Sequence, residues 1–239
     1  MNLSKKSIEY DFDVHKKGSF MYFWTKNYMD ATLDAALESN FAWKNKTVLD
    51  IGIGRGRSLT IFKKLDIGSV HGIDISKSES SYAHKQSKRL GLPLKVTIDD
   101  FDNTFLKSIS AESYDVVALM NILFCVPNER VRKTIITEAK RILKPGGRLI
   151  ILDMQKPALM WIMSKITLKP WEFRTNDQLL RLFSPLICLS AKGSNFFYFI
   201  NRPMDIVSKV LGTGILNVLD ALYRLLGIPA STKTLIFTK

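Results

Sequence analysis

The residues best suited to chemistry sit in one short run, Val48-Leu49-Asp50-Ile51-Gly52-Ile53-Gly54-Arg55-Gly56-Arg57-Ser58. Asp50 ends an apolar stretch, and Gly52, Gly54 and Gly56 follow at alternate positions, a spacing that lets the backbone turn sharply and a ligand approach closely. In an open α/β sheet such a turn binds a nucleotide-like cofactor; without a ligand it is a tight strand-to-helix connection. Next, VHGIDIS sets Asp74 and Ile75 at the end of a second apolar run. There a carboxylate either accepts hydrogen bonds from both hydroxyls of an adenosine ribose or caps a helix. IDDFDNTF then offers Asp99, Asp100 and Phe101 as neighbours of an adenine ring, or as a plain polar loop.

Two rival nucleotide chemistries fit poorly. A dinucleotide dehydrogenase requires a third glycine at G-x-G-x-x-G, where Arg57 stands, and no Lys-Ser or Lys-Thr pair follows the glycines as a phosphate-binding P-loop requires.

Positioning these residues requires strands that end at them. TVLDIG, SVHGIDI, LKVTI, YDVVALM and RLIILD are β-rich runs separated by amphipathic segments, the alternation of βαβ units in a parallel sheet. Val131, Ile135, Ile136, Ala139 and Ile142 recur at helical spacing before Pro145-Gly146-Gly147. An aromatic-rich helical pattern, residues 20–37, precedes the sheet; it packs on the domain and leaves some rings near the cleft. After Asp153 come a helical stretch (PALMWIMSKI), a turn and helix (TNDQLLRLF), a strand around PLICLSA, an apolar excursion over 196–228 and a last strand, KTLIFTK. With no Pro/Gly/Ser linker, residues 1–239 read as one domain: a helical cap (1–46), a cofactor-binding core (47–153) and a substrate-side region (154–239).

Composition narrows the partners. A formal net charge of +13 favours anionic surroundings, but the basic residues are scattered in pairs without an RNA-binding signature, which disfavours nucleic acid. Cys125 and Cys188 stand far apart with no metal-ligand or redox spacing, in keeping with a reducing, cytoplasmic setting and no metal. The longest apolar candidate for a membrane span, 206–228, is interrupted by Lys209, Asp220 and Arg224.

VLDIGIGRGRS, GIDIS, IDDFDNTF, YDVVALMNILFCVPN and RILKPGGRLIILD, in that order over residues 47–153, resemble the motif set of class I S-adenosylmethionine-dependent methyltransferases. The resemblance implies a doubly wound α/β fold: a seven-stranded, mostly parallel, Rossmann-like sheet with an antiparallel last strand and helical substrate-side additions. It implies S-adenosylmethionine as cofactor, bound across the carboxyl ends of the first, second and fourth strands. Asp50, Gly52, Gly54 and Gly56 then line the methionine and ribose side, Asp74 and Ile75 the ribose, and Asp99, Asp100 and Phe101 the adenine. Met120 and Asn121 face the methyl. Arg55 and Arg57 depart from the small residues common in such turns; both point to solvent, or Arg55 reaches the cofactor carboxylate.

Methyl transfer from a sulfonium needs in-line approach, and a proton acceptor only if the nucleophile carries a proton. The histidine some relatives carry after the fourth strand is replaced here by Phe124 and Cys125, so no base transfers by resemblance; His15 and Asp153 are the remaining candidates. The acceptor side falls to Trp24, Tyr28, Phe197 and Tyr198, which suits a small lipophilic molecule methylated on oxygen or nitrogen. The apolar excursion also leaves a peripheral membrane contact and a homodimer open. An RNA or protein methyltransferase, and a catalytically silent adaptor keeping the fold, stand as the rival functions.

Overall fold

The computed structural model describes residues 20–101, 105–155, 174–194, 210, 214–225 and 230–239. Their elements run α1 (Phe20–Glu38), β1 (Thr47–Ile51), α2 (Leu59–Lys64), β2 (Ser69–Asp74), α3 (Lys77–Leu90), β3 (Leu94–Ile98), α4 (Phe105–Ser108) and β4 (Tyr114–Met120). Then follow α5 (Glu129–Ile142), β5 (Leu143–Met154), α6 (Asn176–Leu182), β6 (Ile187–Ser194), α7 (Gly214–Leu225) and β7 (Thr232–Thr238). The seven strands form one sheet in the order β3-β2-β1-β4-β5-β7-β6. β1 to β5 are mutually parallel, β7 runs antiparallel to β5, and β6 antiparallel to β7. The expected sheet, with its antiparallel last strand, is present.

The central strands read as unbroken apolar runs because both faces are covered. On β4 and β5, Val116, Ala118, Ile150 and Leu152 join a cluster with α1 and α2, while Val117, Leu119, Leu149 and Ile151 join one with α5 and α6. The edges differ: β6 alternates exposed and half-buried residues, leaving Ile187 and Leu189 open to solvent. Pairing between β4 and β5 jumps from Tyr114↔Leu143 to Val116↔Arg148, so Lys144–Gly147 are absorbed as an irregularity at the start of β5.

Helix ends follow local chemistry. Ser76 caps α3 by accepting from Glu79 N, and Gly91 ends it in the left-handed region, φ +60°. Asn128 caps α5. α1 has a buried face that includes Trp24, Tyr28, Thr32 and Ala35, and it is keyed to the sheet by a 2.8 Å hydrogen bond between Thr32 Oγ1 and Thr234 Oγ1 on β7. Among the described residues no helix is long and apolar enough to cross a membrane.

Candidate functional site

The strand order reverses between β1 and β4, and in open α/β sheets that switch point is where ligands bind. A cavity of about 200 Å³ lies there, lined by Asp50, Gly52, Gly54, Met120 and Asn121 from the strand ends and by Tyr28 from α1. Its floor is held by β2: Gly52 N donates to Ile73 O at 2.7 Å and Ile53 N at 3.1 Å. Gly52 (φ +82°) admits no side chain, since a Cβ there would stand 2.3 Å from Ile122 Cδ1. A Cβ on Gly54 (φ +51°) would meet only Asp74 Oδ2, at 4.0 Å, so the backbone is open at that point. Gly56 lies behind the turn, buried against Leu59 and Ala83.

Asp50 is buried, and Ser58 Oγ donates to its Oδ2 while Oδ1 has no partner among the described residues. Burial pushes its carboxyl up to about 7, with the Asp74 charge adding to the rise and the Ser58 hydrogen bond opposing it. Asn121 (φ +61°) closes β4; its backbone N–H donates to Leu152 O at 2.7 Å, and its side-chain oxygen is buried without a partner among the described residues. The hydroxyl of Tyr28 is in the same condition.

Asp74 stands at the end of β2 with both oxygens fixed, Oδ2 accepting from Gly54 N at 2.7 Å and Oδ1 from Ser76 N at 2.9 Å. Each oxygen retains a lone pair, as two vicinal hydroxyls require. Ile75, next to it in the chain, and Ile98, its pairing partner on β3, expose 64% and 49% of their surface. Asp99 turns inward to accept from Phe101 N, Asp100 is exposed, and Phe101 (φ +64°) is buried in the cluster on the α5 face.

The two arginines part company. Arg55 stacks on the Tyr82 ring at 3.8 Å and reaches Glu79 at 3.1 Å, so it ties the glycine turn to α3. Arg57 lines the cavity and makes no ion pair among the described residues. Both are half-buried, which corrects the expectation that they point to solvent. Arg55 lines the cavity too, as do Met29, Ser58 and Glu79; Ser58 ends the glycine-rich run, and no sequence motif singled out Met29 or Glu79.

Of the other candidates, Trp24 is buried beside Tyr28, ring centroids 5.0 Å apart, and does not line the cavity. Asp153, at the end of β5, is wholly buried, accepts from Met154 N at 2.9 Å and lies 3.5 Å from Arg174. Burial raises it to about 7 against the pull of Arg174. His15, Phe197 and Tyr198 lie outside the described residues.

Residues 48–147 match a family model described as a methyltransferase domain. The chain is 30% identical over 111 residues to a demethylmenaquinone methyltransferase of Tropheryma whipplei, covering 46% of this chain and 42% of that protein. It is 28% identical over 107 residues to methyltransferase GfsG of Streptomyces halstedii, covering 45% and 37%. The chain thus spans less than half the length of the curated relatives it matches. Among solved structures, a putative sarcosine dimethylglycine methyltransferase from Galdieria sulphuraria superposes with a TM-score of 0.64 over 89% of this chain and 85% of that one, at 14% identity. A geranyl diphosphate methyltransferase in complex with SAM gives 0.60 over 88% and 82%, at 15% identity; both likenesses bear on the fold alone. The stretch 48–147 is thus similar to methyltransferase domains, and the seven-stranded sheet built around it has the fold of those solved methyltransferases.

Proposed function

We propose that this protein moves the methyl group of S-adenosylmethionine to an oxygen or nitrogen atom of a small, lipophilic acceptor. The observation that carries the reading is the cavity at the β1–β4 switch point. Its buried polar atoms lack partners, its glycine turn leaves room for backbone contact, and Asp74 stands ready for a ribose. When bound, the cofactor supplies a methyl group on a positively charged sulfur, activated for in-line displacement. Asp74 would hold the ribose hydroxyls, Ile75 and Ile98 would flank the base, and Asp50, Gly52 and Gly54 would face the amino-acid end. Met120 and Asn121 would border the reacting methyl.

Much of the rate in such a reaction comes from holding donor and acceptor at near-attack distance, and a dedicated base is optional. Asp153 is ill placed to be one: Arg174 and the Met154 amide already engage it, and it does not line the cavity. The lipophilic acceptor is supported by Met29, Ile53 and Met120 in the cavity lining and by the likeness to a demethylmenaquinone methyltransferase.

The test is transfer of tritium from methyl-labelled S-adenosylmethionine to demethylated quinones and to a total lipid extract. Label in the organic phase, lost when Asp74 is replaced by Ala, is the expected result. Label confined to acid-precipitable protein or RNA would assign the activity to a macromolecular substrate instead.

A further inference from the structure

Tyr28 Oη, Asp50 Oδ1 and Asn121 Oδ1 are buried, belong to residues lining one cavity, and have no hydrogen-bond partner among the described residues. Buried polar atoms are nearly always paired, so three orphan oxygens on residues around about 200 Å³ mark a place that a ligand completes; the one nitrogen in like condition on the lining, Arg55 Nε, stands 3.1 Å from Glu79. All three can accept. Their common complement is a group with several N–H donors and no acceptor, which describes an ammonium. Arg57 lines the same cavity without an ion pair among the described residues, and a guanidinium is the complement of a carboxylate. Acceptors for an ammonium beside a cation for a carboxylate describe the receptor of an α-amino acid.

We infer that Tyr28 closes the amino-acid end of the cofactor site, its hydroxyl joining Asp50 and Asn121 around the α-ammonium while Arg57 takes the carboxylate. The inference rests on the reading of the cofactor as S-adenosylmethionine. It assigns α1, which lies outside the stretch matched by the family model, to cofactor selection and not only to the acceptor. The helix can serve because its position is fixed independently of any ligand: Thr32 Oγ1 bonds Tyr28 O at 2.7 Å and Thr234 Oγ1 at 2.8 Å, keying the turn that carries Tyr28 to β7. Trp24, one turn earlier, backs the Tyr28 ring edge-on and leaves it little freedom to swing away.

Three adenosine thioethers or sulfonium compounds separate the contacts. S-adenosylhomocysteine carries both charged groups, decarboxylated S-adenosylmethionine keeps the ammonium alone, and 5′-methylthioadenosine has neither. Calorimetric titration of the wild-type chain should show S-adenosylhomocysteine bound more tightly than methylthioadenosine. Tyr28→Phe should weaken S-adenosylhomocysteine and the decarboxylated compound roughly 10- to 100-fold, the range for a hydrogen bond to a charged group, and leave methylthioadenosine unchanged. Arg57→Gln should weaken S-adenosylhomocysteine and spare the decarboxylated compound. Because Tyr28 Oη has no partner in the ligand-free protein, Tyr28→Phe should keep or raise the melting temperature. Equal loss for all three ligands, no loss for any, or a lowered melting temperature would overturn the inference. Wild-type affinity equal for S-adenosylhomocysteine and methylthioadenosine would also overturn it while leaving the cofactor reading intact; no binding of any of the three would overturn that reading itself.

Discussion

Asp50 and Asp153 occupy matching positions at the ends of β1 and β5, on either side of β4, and burial raises both carboxyls to about 7. Yet they are opposite in kind. Asp153 accepts from the Met154 amide at 2.9 Å, and its Oδ2, which has no hydrogen bond, is faced by the Arg174 guanidinium at 3.5 Å. Asp50 accepts from Ser58 on one oxygen, has no partner for the other among the described residues, and lines a cavity. A buried, perturbed carboxylate is therefore not enough to mark a site, even with an oxygen that lacks a hydrogen bond, as both have; what separates the two is that Asp153 faces a counter-charge while Asp50 lines a cavity.

The largest effect that would break this comparison lies on the Asp153 side. Arg174→Leu leaves a buried carboxyl without its counter-charge and should cost about 3–5 kcal/mol in urea unfolding, most of it recovered when Asp153→Leu is added. A cost below about 1 kcal/mol for Arg174→Leu, against the scale set by other buried ion pairs, would show that the pair is not a structural hub. Next comes the pH response shared by both groups. The folded state holds protons that the unfolded chain releases above its ordinary carboxylate range, so the ligand-free protein should lose stability as pH rises from 4 to 7 and level off beyond. The loss is up to about 4 kcal/mol for each group. Asp50→Asn should flatten part of that slope, and a stability that instead climbs between pH 4 and 7 would contradict the burial of both carboxyls in their present settings.

Effects on the Asp50 side should fall on binding more than on folding. If Asp74 holds the ribose as proposed, Asp74→Ala removes two charge-assisted contacts and should weaken S-adenosylhomocysteine roughly 100-fold or more; unchanged affinity would place the ribose elsewhere. The smallest expected change in stability is Gly54→Ala. Its Cβ meets nothing closer than 4.0 Å, so only the left-handed backbone is strained, at about 1–2 kcal/mol. That methyl group would nevertheless stand where backbone and ligand meet, and titration should show affinity falling by more than stability does.

The sheet was legible because each strand carries a continuous or alternating apolar run closed by a turn signal, and because the pattern is local. The antiparallel pairing of β7 with β5 was expected only through the family resemblance. The candidate site was legible where a motif is local too: Asp50, Gly52 and Gly54 line the cavity, and Asp74 holds Gly54 N from the neighbouring strand. It was illegible where long-range packing decides. Trp24 and Tyr28 share one helical face, and only the keying of Thr32 to Thr234 determines that Tyr28, and not Trp24, lines the cavity. Arg55 and Arg57 alternate in the sequence as the glycines do. Which of them meets α3 depends on the positive φ angles at Gly52, Gly54 and Gly56 and on the Tyr82 ring. The partner of Asp153 lies beyond a long intervening segment, so no spacing rule finds Arg174.

Calorimetric titration of the purified chain with S-adenosylmethionine and S-adenosylhomocysteine, beside NAD and ATP, tests the central claim most directly. Saturable binding of the first two with no heat from NAD or ATP is the predicted result. A folded protein that binds neither adenosyl compound, or that prefers NAD or ATP, would contradict the assignment of the β1–β4 cavity to this cofactor.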